Sequence, residues 1–234
     1  MGTYFSLERV LEYFPVLIRS FPTTLLIVCF AVLLGMSLGI VLAYIRVHKV
    51  PVLYQISCVY ISFIRGTPQI IQLFLVYYGL PAFMEAVFGI DINRWNAIYF
   101  VILAYGMNES AQYSEIFRGG LLSIPYAQYE AGYACGLTKL QTFARVIFPQ
   151  VIRIIIPSVG VSIIVLFQNT SMAASIGVRD LMGRAMLYGA YTKHYTENLF
   201  CTAVIFIVIS IALELLFGKL NQKMKFTGKK EAKN

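Results

Sequence analysis

Four polar side chains stand close together in an apolar stretch of the chain and could hold a polar solute. They are Asn108, Glu109, Gln112 and Glu115. At about 3.6 residues per helical turn, Asn108, Gln112 and Glu115 share one face, while Glu109 lies about a quarter turn away. Such groups are costly inside a membrane unless they face a bundle interior or a watery cavity. The spacing therefore predicts a polar path, and the alternative is hydrogen bonding between neighbouring helices.

The sequence offers little for catalysis. It has no phosphate-binding loop of the form Gly, four residues, Gly-Lys-Ser/Thr, so ATP hydrolysis by that mechanism is not predicted. The two histidines, His48 and His194, lie far apart, and no His-Glu-x-x-His pair is present. The four cysteines are isolated, without metal or redox spacing, and we expect them to be small buried apolar residues. The chain is therefore predicted not to be an enzyme and to hold no metal or cofactor of its own.

The elements that must position the polar residues are membrane spans. Hydrophobic residues make up 59% of the 234 positions and the mean hydropathy is +0.72, which is more apolar than a soluble domain. Residues 21–45 are uncharged and long enough to cross a core about 30 Å thick. Further spans are expected at residues 69–84, 95–117, 146–168 and 198–217. These five spans form a permease domain over residues 21–218 and place the termini on opposite sides of the membrane.

Residues 1–20 are predicted to form an amphipathic helix at the membrane interface. Apolar residues recur there at helical spacing. They are Leu7, Val10, Leu11, Phe14, Leu17 and Ile18. Pro15 should bend this helix. Because acidic and basic residues alternate before the first span, that span does not read as a cleavable signal and is expected to be retained.

Basic residues near the span ends predict the orientation. Thirteen lie on one side, namely Arg46, Lys49, Arg65, Arg118, Lys139, Arg145, Arg153 and the six lysines of residues 219–234. Six lie on the other side, namely Arg9, Arg19, Arg94, Arg179, Arg184 and Lys193. The positive-inside rule then makes the loop at residues 123–143 and the basic tail at 219–234 cytoplasmic, with the N-terminus outside. This topology explains the net charge of +8 better than nucleic-acid binding does.

The loop at residues 123–143 has the pattern of a short helical hairpin. Pro125 is typical of a helix start, Gly136 suits a left-handed turn, and a second short helix is expected through Leu140 and Phe143. Glu130 is expected to cap the turn or to pair with a basic residue of a partner. Such a hairpin could enter a groove on another protein, and the alternative is a plain solvated hairpin.

This loop resembles the EAA loop of ATP-binding-cassette (ABC) importer permeases. The family pattern is Glu-Ala-Ala, three residues, Gly, nine residues, Ile, any residue, Leu-Pro. The chain has Glu130-Ala131-Gly132, Gly136 and then Val146-Ile147-Phe148-Pro149 at the same spacing, with swaps that keep small size or apolar character. By this resemblance the candidate ATPase-coupling residues are Glu130, Ala131, Gly132, Gly136 and Leu137.

Segments outside the loop resemble the permeases of polar amino-acid importers of the histidine, glutamine and cystine type. They are Arg65-Gly66-Thr67-Pro68, Gln72-Leu73-Phe74, Tyr77-Tyr78-Gly79-Leu80-Pro81, Glu115-Ile116-Phe117-Arg118-Gly119-Gly120 and Ser123-Ile124-Pro125. The similarity runs from roughly residue 35 to residue 218. Local chemistry alone gives plainer expectations, in which Thr67 caps a helix that Pro68 opens, and Glu115 pairs with Arg118.

The resemblance implies an all-α integral membrane protein with five transmembrane helices and the type I ABC importer permease fold, located in a prokaryotic inner or plasma membrane. It implies two cytoplasmic ABC ATPase subunits that bind ATP and Mg, and a second identical or similar permease subunit. It also implies an extracytoplasmic amino-acid-binding protein. Cystine, glutamine, glutamate, histidine and arginine remain open as substrates.

A substrate path is expected where polar residues interrupt the spans. Family members commonly show Lys-Asp-Thr-Ser-Leu-Ala where this chain has Gln168-Asn169-Thr170-Ser171-Met172-Ala173, so a charged pair has become neutral. These residues could receive the ammonium and carboxylate ends of an amino acid. The candidate pocket residues are Gln72, Asn108, Glu109, Gln112, Gln168, Asn169 and Thr170, with Glu109 expected to attract the ammonium group.

The main alternative function is an ion-coupled secondary carrier or a channel. Either class would also have several spans and carboxylates within the membrane. A carrier usually shows paired repeats with helices broken at matched positions. No convincing internal repeat is present in this sequence, and dependence on ATP rather than on an ion gradient separates the two classes.

Overall fold

The computed structural model describes residues 5–224, and these form helices joined by short connections. The helices are α1 (Leu7–Ile18), α2 (Phe21–Val47), α3 (Leu53–Gly66), α4 (Gln69–Phe74), α5 (Leu80–Phe88), α6 (Ala97–Leu122), α7 (Tyr126–Ala134), α8 (Lys139–Thr142), α9 (Phe148–Asn169), α10 (Leu181–Thr192) and α11 (Tyr195–Met224). Two π-helical turns, Leu75–Gly79 and Phe143–Ile147, and a 3₁₀ segment, Thr170–Ile176, continue the neighbouring helices. Most of the predicted basic tail, from residue 225 onward, lies outside the described residues.

Four helical stretches are long and apolar enough to cross a membrane. They are Phe21–Val47, Gln69–Phe88, Lys139–Ile176 and Tyr195–Met224. The predicted third span is α6, whose 26 residues reach about 39 Å. Its polar residues lower its hydropathy, but α6 packs along α2 in the middle of the bundle. The five predicted spans therefore correspond to five long helical stretches, each longer than the sequence had suggested.

Glycines allow α2 and α6 to approach closely. A Cβ atom built on Gly35 would lie 2.5 Å from Cβ of Glu109, and one built on Gly39 would lie 2.7 Å from Cβ of Tyr113. Small residues at such positions are the usual means of packing helices in a membrane. Residues 35–39 also fit the spacing Gly-x-Ser-x-Gly of a hydrolase nucleophile. Here they lie inside the continuous helix α2, where the Ser37 hydroxyl donates to the Leu33 carbonyl at 2.7 Å. The two glycines therefore serve helix packing, and Ser37 does not lie on the strand-to-helix turn that such a nucleophile needs.

The second span begins with a bend that the sequence only partly predicted. Thr67 ends α3 instead of capping the next helix, because its hydroxyl donates back to the Phe63 carbonyl at 2.9 Å. Pro68 is the residue that precedes α4, in an extended conformation. The expected capping role of Thr67 is therefore wrong, while the helix start beside Pro68 is confirmed to within one residue.

The N-terminal helix packs on the last two helices. Tyr13 and Leu17 of α1 are buried, and the ring of Tyr13 contacts that of Tyr188 edge-on. Leu7 and Leu11 on the opposite face are exposed, and Pro15 lies within the helix. The helix itself is thus present, and its location at the membrane interface stays a prediction.

The expected burial of all four cysteines is wrong. Cys201 is buried, Cys58 is half-buried, and Cys29 and Cys135 are exposed. Cys29 lies on a spanning helix and Cys135 ends α7, so neither is enclosed by this chain.

Candidate coupling hairpin and polar path

The turn between α7 and α8 is built on Gly136, whose φ is +76°. The Leu137 N–H donates to the Gly132 carbonyl at 3.1 Å, and the Gly136 N–H donates to the Tyr133 carbonyl at 2.9 Å. This pair of bonds is the Schellman arrangement, which needs a left-handed residue at the position that Gly136 occupies. The predicted left-handed turn is therefore confirmed, and it fixes the angle between the two short helices.

The second helix of the hairpin has its own start signal. The Thr138 hydroxyl accepts the Gln141 N–H at 3.3 Å, and the Gln141 side chain accepts the Thr138 N–H at 3.0 Å. This reciprocal capping box stabilises a helix only four residues long. The side chain of Thr142 packs directly on Gly132, which leaves no room for a β-carbon at that position. Gly132 therefore brings α8 against α7.

An apolar cluster joins the hairpin to the spanning helices. Ile124, Ile147, Val151 and Ile155 are all buried together between the end of α6, the hairpin and the start of α9. Tyr129 of α7 packs on this cluster, and partial burial raises the pKa of its hydroxyl. The hairpin therefore packs on the ends of the two long helices α6 and α9.

The five candidate coupling residues occupy one compact region of the hairpin. Glu130, Ala131 and Gly136 are exposed, Leu137 is half-buried and Gly132 is buried. The turn is closed by backbone bonds, so the expected capping of the turn by Glu130 is not what holds it. Glu130 is exposed, and within residues 5–224 it takes part in no ion pair.

Gln72 and Asn108 are brought together, as the pocket hypothesis required. The Asn108 amide donates to Oε1 of Gln72 at 2.9 Å. Nε2 of Gln72 donates to the carbonyls of Ile64 at 2.6 Å and Thr67 at 3.1 Å, where the bend leaves carbonyl groups free. Gln72 is only 4% exposed. This hydrogen bond therefore joins α4 to α6.

Glu109 lies between helices. It is 4% exposed, and its carboxylate accepts the Ser162 hydroxyl of α9 at 2.7 Å. Gly35 of α2 covers its other side. In this structure the carboxylate of Glu109 is therefore enclosed between α6 and α9. Gln112, one turn further along, is half-buried.

The three candidate residues at the C-terminal end of α9, Gln168, Asn169 and Thr170, point in different directions. The Asn169 amide donates to Gln69 of α4 at 2.6 Å, and the Thr170 hydroxyl donates to the Phe167 carbonyl at 2.7 Å. Gln168 is exposed in a groove of about 580 Å³ beside α11, where its amide donates to Ser210 at 3.3 Å. The structure of the single chain therefore gathers the candidate path residues into separate small groups, and not into one enclosed pocket.

A cluster of arginines around Glu115 was only partly predicted. The expected pair with Arg118 is confirmed at 2.8 Å, and Arg46 at 2.5 Å and Arg65 at 3.8 Å also lie on the same carboxylate. Glu115 thereby links the ends of α2, α3 and α6. The position of Arg46 just after an apolar span predicted that it lies near the membrane surface. It did not predict the pair with Glu115, because the two residues are 69 positions apart in the sequence.

The fold and the hairpin define an all-helical membrane transport component whose bundle carries an exposed two-helix element. Residues 35–226 match the family of binding-protein-dependent transport system inner membrane components. The chain belongs to this family.

Comparison with single proteins agrees with this assignment. The chain is 33% identical to the L-cystine transport system permease protein TcyL of Bacillus subtilis (strain 168), over 96% of this chain and 94% of that protein. It is 35% identical to the probable amino-acid permease protein YxeN of the same organism, over 89% of this chain and 91% of that protein. Among solved structures, an amino acid ABC transporter crystallised with histidines superposes with a TM-score of 0.83 at 28% identity, covering 94% of this chain and 99% of that one.

Proposed function

We propose that this chain is the permease subunit of an ATP-driven importer that takes up a polar amino acid, and that the hairpin of α7 and α8 is where the ATPase docks. The observation that carries the proposal is the exposed hairpin, held at a fixed angle by Gly136 and packed onto α6 and α9. The similarity to amino-acid permeases supports the substrate class. Among residues 5–224, we find no feature that favours an ion-coupled carrier or a channel over this function.

The hairpin suits a docking role because its outer surface is exposed while its base packs on a buried apolar cluster. Glu130 and Ala131 are exposed on α7, and the apolar cluster below them transmits any displacement to two long helices. When two ATPases bind ATP and Mg and close, the hairpins move with them. That movement biases the bundle between inward-facing and outward-facing states.

The remaining partners follow from the same mechanism. One chain encloses only part of a pathway, so a second identical or similar permease subunit completes it. An extracytoplasmic binding protein delivers the amino acid. The excess of basic residues supports an orientation with the hairpin and the C-terminus in the cytoplasm and the N-terminus outside, in a prokaryotic inner membrane.

We propose that the substrate path runs along the polar side of α6. Asn108 with Gln72, and Asn169 with Gln69, present amides that can hold a carboxylate or an ammonium group. Glu109 becomes accessible when α6 and α9 separate during the cycle. A carboxylate there favours cationic and zwitterionic amino acids over anionic ones.

Cys135 gives a direct test of the docking site, because it is exposed at the end of α7. A variant that keeps Cys135 and replaces the other three cysteines by serine is crosslinked in native membranes, and its partners are identified by mass spectrometry. We expect a crosslinked ATPase. The matched control keeps only Cys29, which is exposed on a spanning helix and should not reach an ATPase. Crosslinking of neither cysteine to an ATPase would contradict the proposal.

A transport assay tests coupling. Gly136→Arg adds both strain and a bulky charge to the hairpin surface, so we expect coupled uptake to be abolished while membrane insertion is retained. Uptake is measured in membrane vesicles with ATP supplied inside or with an ion gradient alone. Full uptake by the Gly136→Arg variant, or uptake driven by the gradient without ATP, would count against the importer mechanism.

A further inference from the structure

The cluster around Glu115 contains more positive than negative charge. Three guanidinium groups, from Arg46, Arg65 and Arg118, share the one carboxylate. No second carboxylate lies within 4.0 Å of these arginines in the part of the chain that the structure describes. Two positive charges therefore remain without a counter-charge at the ends of three helices.

Parts of these guanidinium groups have no hydrogen-bond acceptor. The Arg46 Nε atom is buried and unpaired, and the Arg65 side chain is 50% exposed. A guanidinium group presents five donors, and it binds phosphate oxygens as well as carboxylates. The cluster therefore has the charge for one more anion, and the half-exposed Arg65 has donors that such an anion can reach.

An apolar cavity lies further along the same helices. Its volume is about 310 Å³, and its lining is apolar apart from Gln72. The walls include Phe63, Ile64, Leu75, Gly79, Phe83 and Met107. Phe63 and Ile64 directly precede Arg65, so the cavity and the charged cluster share the end of α3.

The cavity extends away from the cluster over about the depth of a lipid leaflet. Met107 and Leu103 line the cavity, and they precede Glu115 on α6 by 8 and 12 residues. At about 1.5 Å per residue, this part of the cavity lies roughly 12 to 18 Å along α6 from Glu115, whereas its near end, at Ile64, adjoins Arg65. One leaflet of the hydrocarbon core is about 15 Å thick. A molecule with an anionic head and an apolar tail of that length fits both features.

We propose that an anionic phospholipid binds along α3 and α6, with its phosphate at Arg65 and one acyl chain in the cavity. The proposal rests on the cytoplasmic placement of the clustered arginines given above. Basic pockets between spanning helices on the cytoplasmic side are suited to lipid head groups. A second copy of the chain is the other occupant that the apolar lining fits, and the experiment below distinguishes it from a lipid. The bound lipid would stabilise the joint where α2, α3 and α6 meet.

Two variants separate the head group from the chain. Arg65→Gln removes the most exposed charge of the cluster, and Arg94→Gln is the matched control because Arg94 is exposed on the opposite side. Gly79→Leu fills the cavity, since a β-carbon built on Gly79 meets nothing within 4 Å. One basic residue near a lipid head contributes about fivefold in affinity, so Arg65→Gln should lower binding by about that factor.

The experiment is native mass spectrometry of the full chain, purified with its partners in mild detergent. Phosphatidylglycerol and phosphatidylcholine are added back in parallel, and inorganic phosphate is a third arm. We expect wild type and Arg94→Gln to retain phosphatidylglycerol over phosphatidylcholine. Arg65→Gln should lose this preference, and Gly79→Leu should retain less of either lipid.

Three results would overturn the proposal. One is equal retention of phosphatidylglycerol by Arg65→Gln and Arg94→Gln. Another is binding of inorganic phosphate as tight as that of the phospholipid, which would indicate a free-anion site. The third is a change of subunit association in Gly79→Leu with lipid retention unchanged, which would assign the cavity to a second copy. Lipid retention is measured without ATP, so a failure of the lipid proposal can be distinguished from a failure of the proposed coupled uptake.

Discussion

The substitution Gly136→Ala tests whether the geometry of the hairpin controls coupling. Gly136 has φ +76°, a conformation that costs most L-residues about 1–2 kcal/mol. A β-carbon at this position meets nothing within 4 Å, so the substitution introduces backbone strain without a steric clash. If docking requires the observed turn, that strain lowers the population of the competent hairpin by about 5- to 30-fold.

The assay is ATP-dependent uptake in vesicles at limiting ATPase concentration, together with ATPase activity stimulated by the permease. We expect Gly136→Ala to need more ATPase for half-maximal uptake, within that range of factors. Gly136→Asn should be affected less, because asparagine tolerates the left-handed conformation. Gly119→Ala is the matched control, since Gly119 lies in α6 with normal helical geometry and open space around it.

The ordering of these variants is what the reasoning predicts. Wild-type coupling in Gly136→Ala would show that the turn is not needed in its observed form. Equal damage in Gly136→Asn and Gly136→Ala would show that the glycine is needed for close approach of a partner, and the strain argument would then be wrong.

Three other predictions concern the bundle. Gly39→Leu should reduce the yield of folded protein in size-exclusion chromatography, because a β-carbon there would lie 2.7 Å from that of Tyr113, whereas Gly119→Leu should not. Glu109→Gln should preserve the folded yield, since the amide oxygen can still accept the Ser162 hydroxyl. It should lower amino-acid uptake near neutral pH, and unchanged uptake would remove the proposed ammonium-binding role. Asp180 precedes α10 outside the spanning helices, and burial raises its pKa from 3.8 to about 6. A raised carboxyl pKa makes the folded state lose stability as pH rises from about 4 through 6, by on the order of 3 kcal/mol. Asp180→Asn should remove most of this pH dependence in thermal unfolding, and an unchanged pH profile would refute the assignment.

Local signals predicted the hairpin well. Pro125 and Gly136 act through their own backbone preferences, so the start of α7 and the turn that follows it could be read from neighbouring residues. The neighbouring residues did not explain why Gly132 stands where the family pattern has alanine. Its reason is the side chain of Thr142, which packs on it from the next helix.

The contacts of the candidate path residues were harder to predict because helical periodicity indicates which residues share a face but not what that face packs against. The face shared by Asn108 and Gln112 follows from spacing alone. The bond from Ser162 to Glu109 joins residues 53 positions apart, and only the packing of α6 against α9 reveals it. Glu109 was selected for its charge, which says nothing about whether a solute can reach it. The hydrogen bonds at the bend after Arg65 were likewise not predicted, because the side chain that satisfies its carbonyl groups, Gln72, belongs to the following helix.

The position of Glu109 and the position of the hairpin together suggest how docking could open the path. The hairpin is held by Ile147 and Val151 at the start of α9, while Ile124 holds it to the end of α6. A rigid element fixed to both helices changes the angle between them when a partner moves it. The bond between Glu109 and Ser162 lies between the same two helices, further into the bundle. Separation of α6 and α9 would therefore break this bond and expose the carboxylate at the stage when the path is open. On this reasoning Glu109 should react with a carbodiimide only in the presence of ATP and the docked ATPase, because Glu109 is otherwise only 4% exposed. Equal labelling of Glu109 with and without ATP would show that the helices do not separate at this point.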